Sequence, residues 1–136
     1  PNFNSFVRLA YYTGARSSEI RSLRRENMKD EYTIVEGKTG PRMLKFNLQA
    51  QKVLSEQKEL WNYSKDFVSH KFKKECRKLE IQNARFHDLR RTFGYNLIKQ
   101  GMSIFKVSKL LGHASVRTTE KHYAPLIATD IEDFSL

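Results

Sequence analysis

Leu110–Leu126 reads LLGHASVRTTEKHYAPL, and a short way upstream His87–Arg91 reads HDLRR. Gly112 closes the apolar run SIFKVSKLL that Ser103 is placed to cap, Ser115 is placed to cap the next helix, and Pro125 to end it. His113 therefore falls in a tight interhelical turn, and Tyr123 near a helix end. In HDLRR the i, i+3, i+4 spacing puts His87, Arg90 and Arg91 on one helix face, beside the apolar stripe Phe86, Leu89, Phe93 and Leu97. Histidine and arginine side by side suit an anion, because a guanidinium donates two parallel hydrogen bonds to phosphate oxygens. An ordinary solvated helix face has the same pattern.

Two further stretches carry chemistry. TGARSSEI (13–20) places Arg16 after a glycine at a helix–helix junction, with Glu19 in position to pin its backbone or guanidinium, and GKTG (37–40) presents Lys38 in a turn. Taken singly, these read equally as a surface ion pair and a solubilising turn lysine. GKTG lacks the upstream glycine and strand-to-helix context of a phosphate-binding loop. Two arginines, two histidines, a lysine and a tyrosine together make a poor metal site and no hydrolytic triad. They suit a different task, holding a phosphodiester while a phenolic oxygen attacks it.

Outward from these motifs the chain reads as α+β, mostly α-helical. Phe3, Phe6, Val7, Ala10 and Tyr11 recur at helical spacing up to Gly14, and Ser17 is placed to cap SSEIRSL. YTIVE and RMLKF alternate on either side of the GKTG turn and predict a hairpin. A short strand near Asn27–Lys29 is expected to complete a three-stranded antiparallel sheet in the N-terminal third. From Leu48 the helical period returns, with Leu48, Val53, Leu60 and Trp61 on one side, then Val68, Phe72, Cys76 and Leu79. One domain is expected over 1–136, with 124–136 as a C-terminal tail whose Leu126, Ile127, Ile131, Phe134 and Leu136 suit docking on a neighbouring subunit or on its own domain. The opening on Pro1 without an initiator Met reads as a piece of a longer chain with DNA-binding domains upstream.

Charge narrows the partner. The 136 residues carry a formal +10, which suits a polyanion, and nucleic acid is the first candidate. Residues 61–100 hold ten basic side chains against four acidic, so contact is expected in the first hundred residues. Lys71, Lys73, Lys74, Arg77 and Lys78 form a dense patch that reads either as a solvated face or as phosphate contact along a duplex. No apolar run reaches the roughly 20 residues of a membrane span. The lone Cys76 allows no internal disulfide and reads as a small buried apolar side chain. The histidines and Cys76 lack zinc-site spacing.

Taken in order, TGARSSEIRSL, KTG, HDLRRTF and LLGHASVRTTEKHYA resemble the catalytic domain of the tyrosine recombinases, the phage integrase family. The resemblance runs from about residue 10 to 125. It implies the tyrosine-recombinase catalytic fold and a site-specific recombinase that cuts and rejoins DNA through a 3′-phosphotyrosyl intermediate. Arg16 and Arg90 would clamp the scissile phosphate, Tyr123 would be the nucleophile, His87 a base and His113 a phosphate ligand. Lys38 would be the general acid, and Glu19 the acid supporting Arg16. Arg42, Arg91 and the 71–78 patch would contact DNA. Arg91 stands where many members carry a second histidine, and His113 and Tyr123 are one residue further apart than is common.

The resemblance implies no cofactor or metal, and a homo-tetramer on double-stranded DNA that is monomeric or weakly associated without it. It also implies action in the bacterial cytoplasm at the nucleoid, with no membrane partner. A type IB topoisomerase-like relaxase and a non-catalytic DNA-binding module of the same fold are the alternatives. A module would have no use for Tyr123.

Overall fold

A computed structural model describes residues 2–129 and 135–136, with side chains as far as Pro125 in the first segment. Helix α1 (Phe3–Thr13) is capped by the Asn2 side chain, which accepts from Ser5 N at 2.9 Å, and it stops at Gly14 in the left-handed conformation. Its inner face carries Phe3, Phe6, Leu9 and Ala10, whereas Tyr11 is exposed. Helix α2 (Ser17–Arg21) follows directly. Arg16, not Ser17, takes the N-cap position, because Glu19 at N3 reaches back to the Arg16 amide at 2.7 Å.

Strands β1 (Tyr32–Gly37) and β2 (Gly40–Lys45) pair antiparallel around the two-residue turn Lys38-Thr39. The expected third strand is absent from the described residues, and Arg25–Asn27 forms a 3₁₀ turn instead. RENMKD has neither alternation nor β-branched residues to hold a strand. It folds back onto β1 through Lys29 N to Tyr32 O at 2.9 Å and Thr33 Oγ1 to Asn27 O at 3.1 Å.

Helix α3 (Leu48–Ser55) is shorter than its sequence period. Leu48 is 81% exposed, while Trp61 reaches the core from an irregular segment by donating its indole N–H to Ser5 Oγ at 2.9 Å. Helix α4 (Lys65–Lys78) buries Val68 and Cys76 and leaves Leu79 exposed beyond its end. Helices α5 (Asp88–Lys99) and α6 (Ile104–Leu111) complete the frame, α6 capped by Ser103 and closed by Gly112 at φ 70°. Helix α7 runs Val116–Thr129 and continues through Pro125. The proline removes one helical hydrogen bond, that to the Lys121 carbonyl, and exposed Lys121 leaves water free to replace it. Of the docking tail, the side chains of Leu126 and Ile127 and all of Ile131 and Phe134 lie outside the described residues. Leu136 is exposed.

Two apolar clusters hold these elements. The larger joins α1, α2, the hairpin, α3 and α4 through Phe6, Leu9, Ile20, Leu44, Val53 and Val68. The smaller joins α5, α6 and α7 through Val107, Leu111 and Tyr123, with Phe93, Leu97 and Met102 around them. Among the described residues no helix is long and apolar enough to cross a membrane.

Candidate active site

Arg16, Lys38, His87, Arg90, His113 and Tyr123 all line one cleft of about 380 Å³. More than a hundred positions separate the first of them from the last, and the fold gathers all six.

Arg16 stands at the α1–α2 junction. Its Nη1 is buried without a hydrogen-bond partner, 3.6 Å from Glu19 Oε2. Glu19 is 1% exposed, and Arg42 grips it from the other side, Nε to Oε2 at 2.7 Å and Nη2 to Oε1 at 2.9 Å. Burial pushes the Glu19 carboxyl up, but the Arg42 hydrogen bonds and the Arg16 amide outweigh it and hold the group below the usual carboxylate range. The remaining Arg42 nitrogen, Nη1, donates to Leu110 O at 2.9 Å. Arg42, expected at the DNA surface, is thus a correction. Its side chain is only 8% exposed, and it ties the hairpin to α2 and α6. Its aliphatic stem runs against Gly112, where a β-carbon would lie 2.3 Å from Arg42 Cδ.

Arg90 is 4% exposed and donates from Nη1 to Gly14 O at 2.7 Å and from Nη2 to Leu111 O. These carbonyls end α1 and α6, where helix dipoles favour a cation. Burial first, then Arg16 and Arg42, lower its pKa to about 9, so it stays charged at neutral pH. Of its five donors two are used inside the protein, which leaves the rest for a ligand.

His87 sits at the N-cap of α5, just before the helix and not within it, beside buried Phe86. Burial and the charges of Arg90 and Arg16 push its pKa down. His113 follows Gly112, and its Nδ1 lies 2.5 Å from the hydroxyl of fully buried Thr119, which leaves Nε2 for a ligand. Burial and Arg90 lower its pKa to about 4. Both rings are neutral at pH 7. Lys38 is exposed at the tip of the hairpin.

Tyr123 is 3% exposed and packs on Val107 and Leu111. Burial raises the pKa of its phenol, while Arg90 and then Arg91 pull it down. Its hydroxyl occupies the space above Gly94 that any other residue would fill.

Three contributors carry no clear mark in the sequence: Arg42 as the partner of Glu19, Thr119 behind His113, and Gly94 beneath Tyr123. An isolated glycine within a helical pattern is the one available signal, since it costs about 1 kcal/mol against alanine and usually has a packing reason. The basic patch on α4 divides. Lys71 and Lys78 both pair with Glu75, at 3.0 and 3.3 Å, whereas Lys73, Lys74 and Arg77 form no ion pair among the described residues. Arg91 lines the cleft itself.

In chemical terms this is a cleft with three guanidinium groups, a phenol, two neutral imidazoles and an exposed ammonium on its walls. The model of the phage integrase family matches residues 3–128, and the chain belongs to that family. It is 28% identical over 131 residues to the integrase of Escherichia phage 186, covering 92% of this chain and 39% of that protein. It is 27% identical over 138 residues to tyrosine recombinase XerA of Saccharolobus solfataricus, covering 93% of this chain and 47% of that protein. The crystal structure of a XerA recombinase superposes on 96% of this chain and 57% of its own, with a TM-score of 0.73 at 18% identity, a likeness of fold. The chain spans less than half the length of the phage and archaeal relatives.

Proposed function

We propose that this chain is the catalytic part of a site-specific recombinase that cuts and rejoins duplex DNA through a 3′-phosphotyrosyl intermediate. One observation carries the reading. Arg16, whose buried Nη1 makes no hydrogen bond and lies 3.6 Å from Glu19 Oε2, lines the same cleft as Arg90 and Tyr123. Two arginines lining one cleft favour an anion there, and a phosphate oxygen is a fitting acceptor for their guanidinium donors. Family membership and the formal charge of +10 support DNA as the source of that phosphate.

In this scheme the Tyr123 oxygen attacks phosphorus and the P–O5′ bond breaks, giving a phosphotyrosyl bond to the 3′ end and a free 5′-hydroxyl. Free tyrosine ionises near pH 10, so its proton needs an acceptor. His87, neutral at pH 7, takes it. Arg16, Arg90 and His113 hold the charge that grows on the non-bridging oxygens, and Lys38 delivers a proton to the leaving oxygen. The reverse reaction with a different 5′-hydroxyl joins strands without an external energy source. Assembly as a tetramer on two duplexes belongs to the same proposal.

Nicked duplexes that trap the cut strand test the scheme. The wild-type chain should yield a covalent DNA adduct stable to detergent and Tyr123→Phe none. Arg16→Ala or Arg90→Ala should lower the rate about 10²–10³-fold, as for removal of one transition-state donor. Full adduct formation by Tyr123→Phe refutes the scheme.

A further inference from the structure

A second cleft, of about 280 Å³, adjoins the first and shares Arg16 and His87 with it. We propose that it is a phosphate subsite, which takes the phosphate next along the strand from the one held by Arg16 and Arg90. The inference rests on the proposed function and adds residues to it.

The walls come from three elements. Helix α4 contributes Lys65, Ser69 and Lys73, spaced i, i+4, i+8 along one face, with buried Val68 beside them. Ser17 comes from the start of α2, and Arg85 from the segment leading into α5. No carboxylate lines this cleft. Lys65, Lys73 and Arg85 form no ion pair among the described residues, and Asp88 is bound to the backbone amide of Arg85 at 2.8 Å, not to its guanidinium.

Helix α4 treats its cations in two ways. Glu75 holds Lys71 and Lys78, while the cations bordering Arg16 are left without a counter-charge. Cations gathered without an acid, with two hydroxyl donors between them, make a favourable seat for an anion. Successive phosphates of one strand lie about 3.4 Å apart along the helix axis. Two clefts that share Arg16 and His87 suit two neighbouring phosphates of one strand. Such contacts fix register and do not read sequence.

The test measures binding of the full chain to a labelled mixed-sequence duplex of about 20 base pairs, from roughly 50 to 200 mM salt. Lys73→Ala with Arg85→Ala should lower the slope of log affinity against log salt by about 0.9, the value of the one phosphate left unneutralised. Lys73→Arg should keep the wild-type slope. Lys71→Ala with Lys78→Ala removes the same charge and should leave the slope in place. Equal slopes for the two double variants would overturn the subsite, because only net charge would then matter. If the cleft pair lowers the slope while Arg16→Ala and Arg90→Ala do not, the subsite stands and the proposed catalytic cleft fails. A neutral methylphosphonate one nucleotide from the cut in the nicked substrate locates the phosphate concerned. It should slow wild-type adduct formation and cost the Lys73→Ala, Arg85→Ala variant nothing further. An equal cost in both proteins would contradict the assignment.

Discussion

The hydroxyl of Tyr123 sits directly over Gly94: a β-carbon built on that glycine would lie 2.3 Å from the phenolic oxygen and 2.6 Å from Cζ. The bare backbone of α5 thus forms the floor of the seat in which the nucleophile rests, one turn beyond Arg90.

Gly94→Ala separates seating from folding. Alanine favours a helix interior by about 1 kcal/mol over glycine, but its β-carbon must displace the buried Tyr123 phenol, an overpacking cost of about 1–3 kcal/mol. Stability should therefore stay within about 2 kcal/mol of wild type in urea unfolding. The displaced phenol should slow adduct formation about 10²-fold, the scale of a 1 Å misplacement of a reacting group. Wild-type rates would mean that this seat plays no part in attack.

Arg42 and Glu19 form the most deeply buried ion pair in the site. Arg42→Ala leaves the Glu19 carboxylate with only Arg16, and should cost about 3–5 kcal/mol in urea unfolding. Adding Glu19→Gln to Arg42→Ala should recover part of that loss, since the stranded charge is gone. Additive losses in the double variant would show that the two side chains do not interact.

Acid should weaken the fold through His113. Its pKa falls from an ordinary 6.5 to about 4 on folding, chiefly by burial and then by Arg90. Between those values the unfolded chain binds a proton that the folded chain does not, so stability drops as pH falls. His87, shifted the same way, adds to the drop below 6.5, and Glu19, held below 4.5, adds to it further down. The urea midpoint should decline steadily from pH 7 to pH 4, and His113→Gln should flatten the upper part of that decline. A midpoint that rises on acidification would contradict this.

Thr119 acts through His113. Thr119→Val keeps the buried shape and removes the hydroxyl 2.5 Å from Nδ1. The adduct rate should fall about tenfold or more, as for loss of a residue that orients a ligand imidazole. Thr119→Ser should restore most of the activity. Equal rates for valine and serine would assign Thr119 to packing alone.

Much of this molecule is visible in its sequence, and the rest is hidden for physical reasons. Asn47, Ser64 and Ser103 cap their helices and Gly14 and Gly112 close theirs, so local chemistry marks most element ends. The six cleft residues are legible because each sits in a short motif at a junction. Arg42 is not, because alternation in a strand says which face a side chain takes, not that a buried carboxylate waits on that face. Trp61 and Thr119 are hidden for a similar reason, since their partners Ser5 and His113 stand at no helical or strand spacing from them. The absent third strand shows the converse, a region assigned from its neighbours with no alternation of its own.

The most direct measurement is to digest the trapped protein–DNA adduct and locate the modified residue by mass spectrometry. A nucleotide 3′-phosphate on the oxygen of Tyr123, formed far more slowly by Arg16→Ala, is the result expected. Modification of any other side chain, such as His122 or Tyr95, with Tyr123 left bare would contradict the site as described.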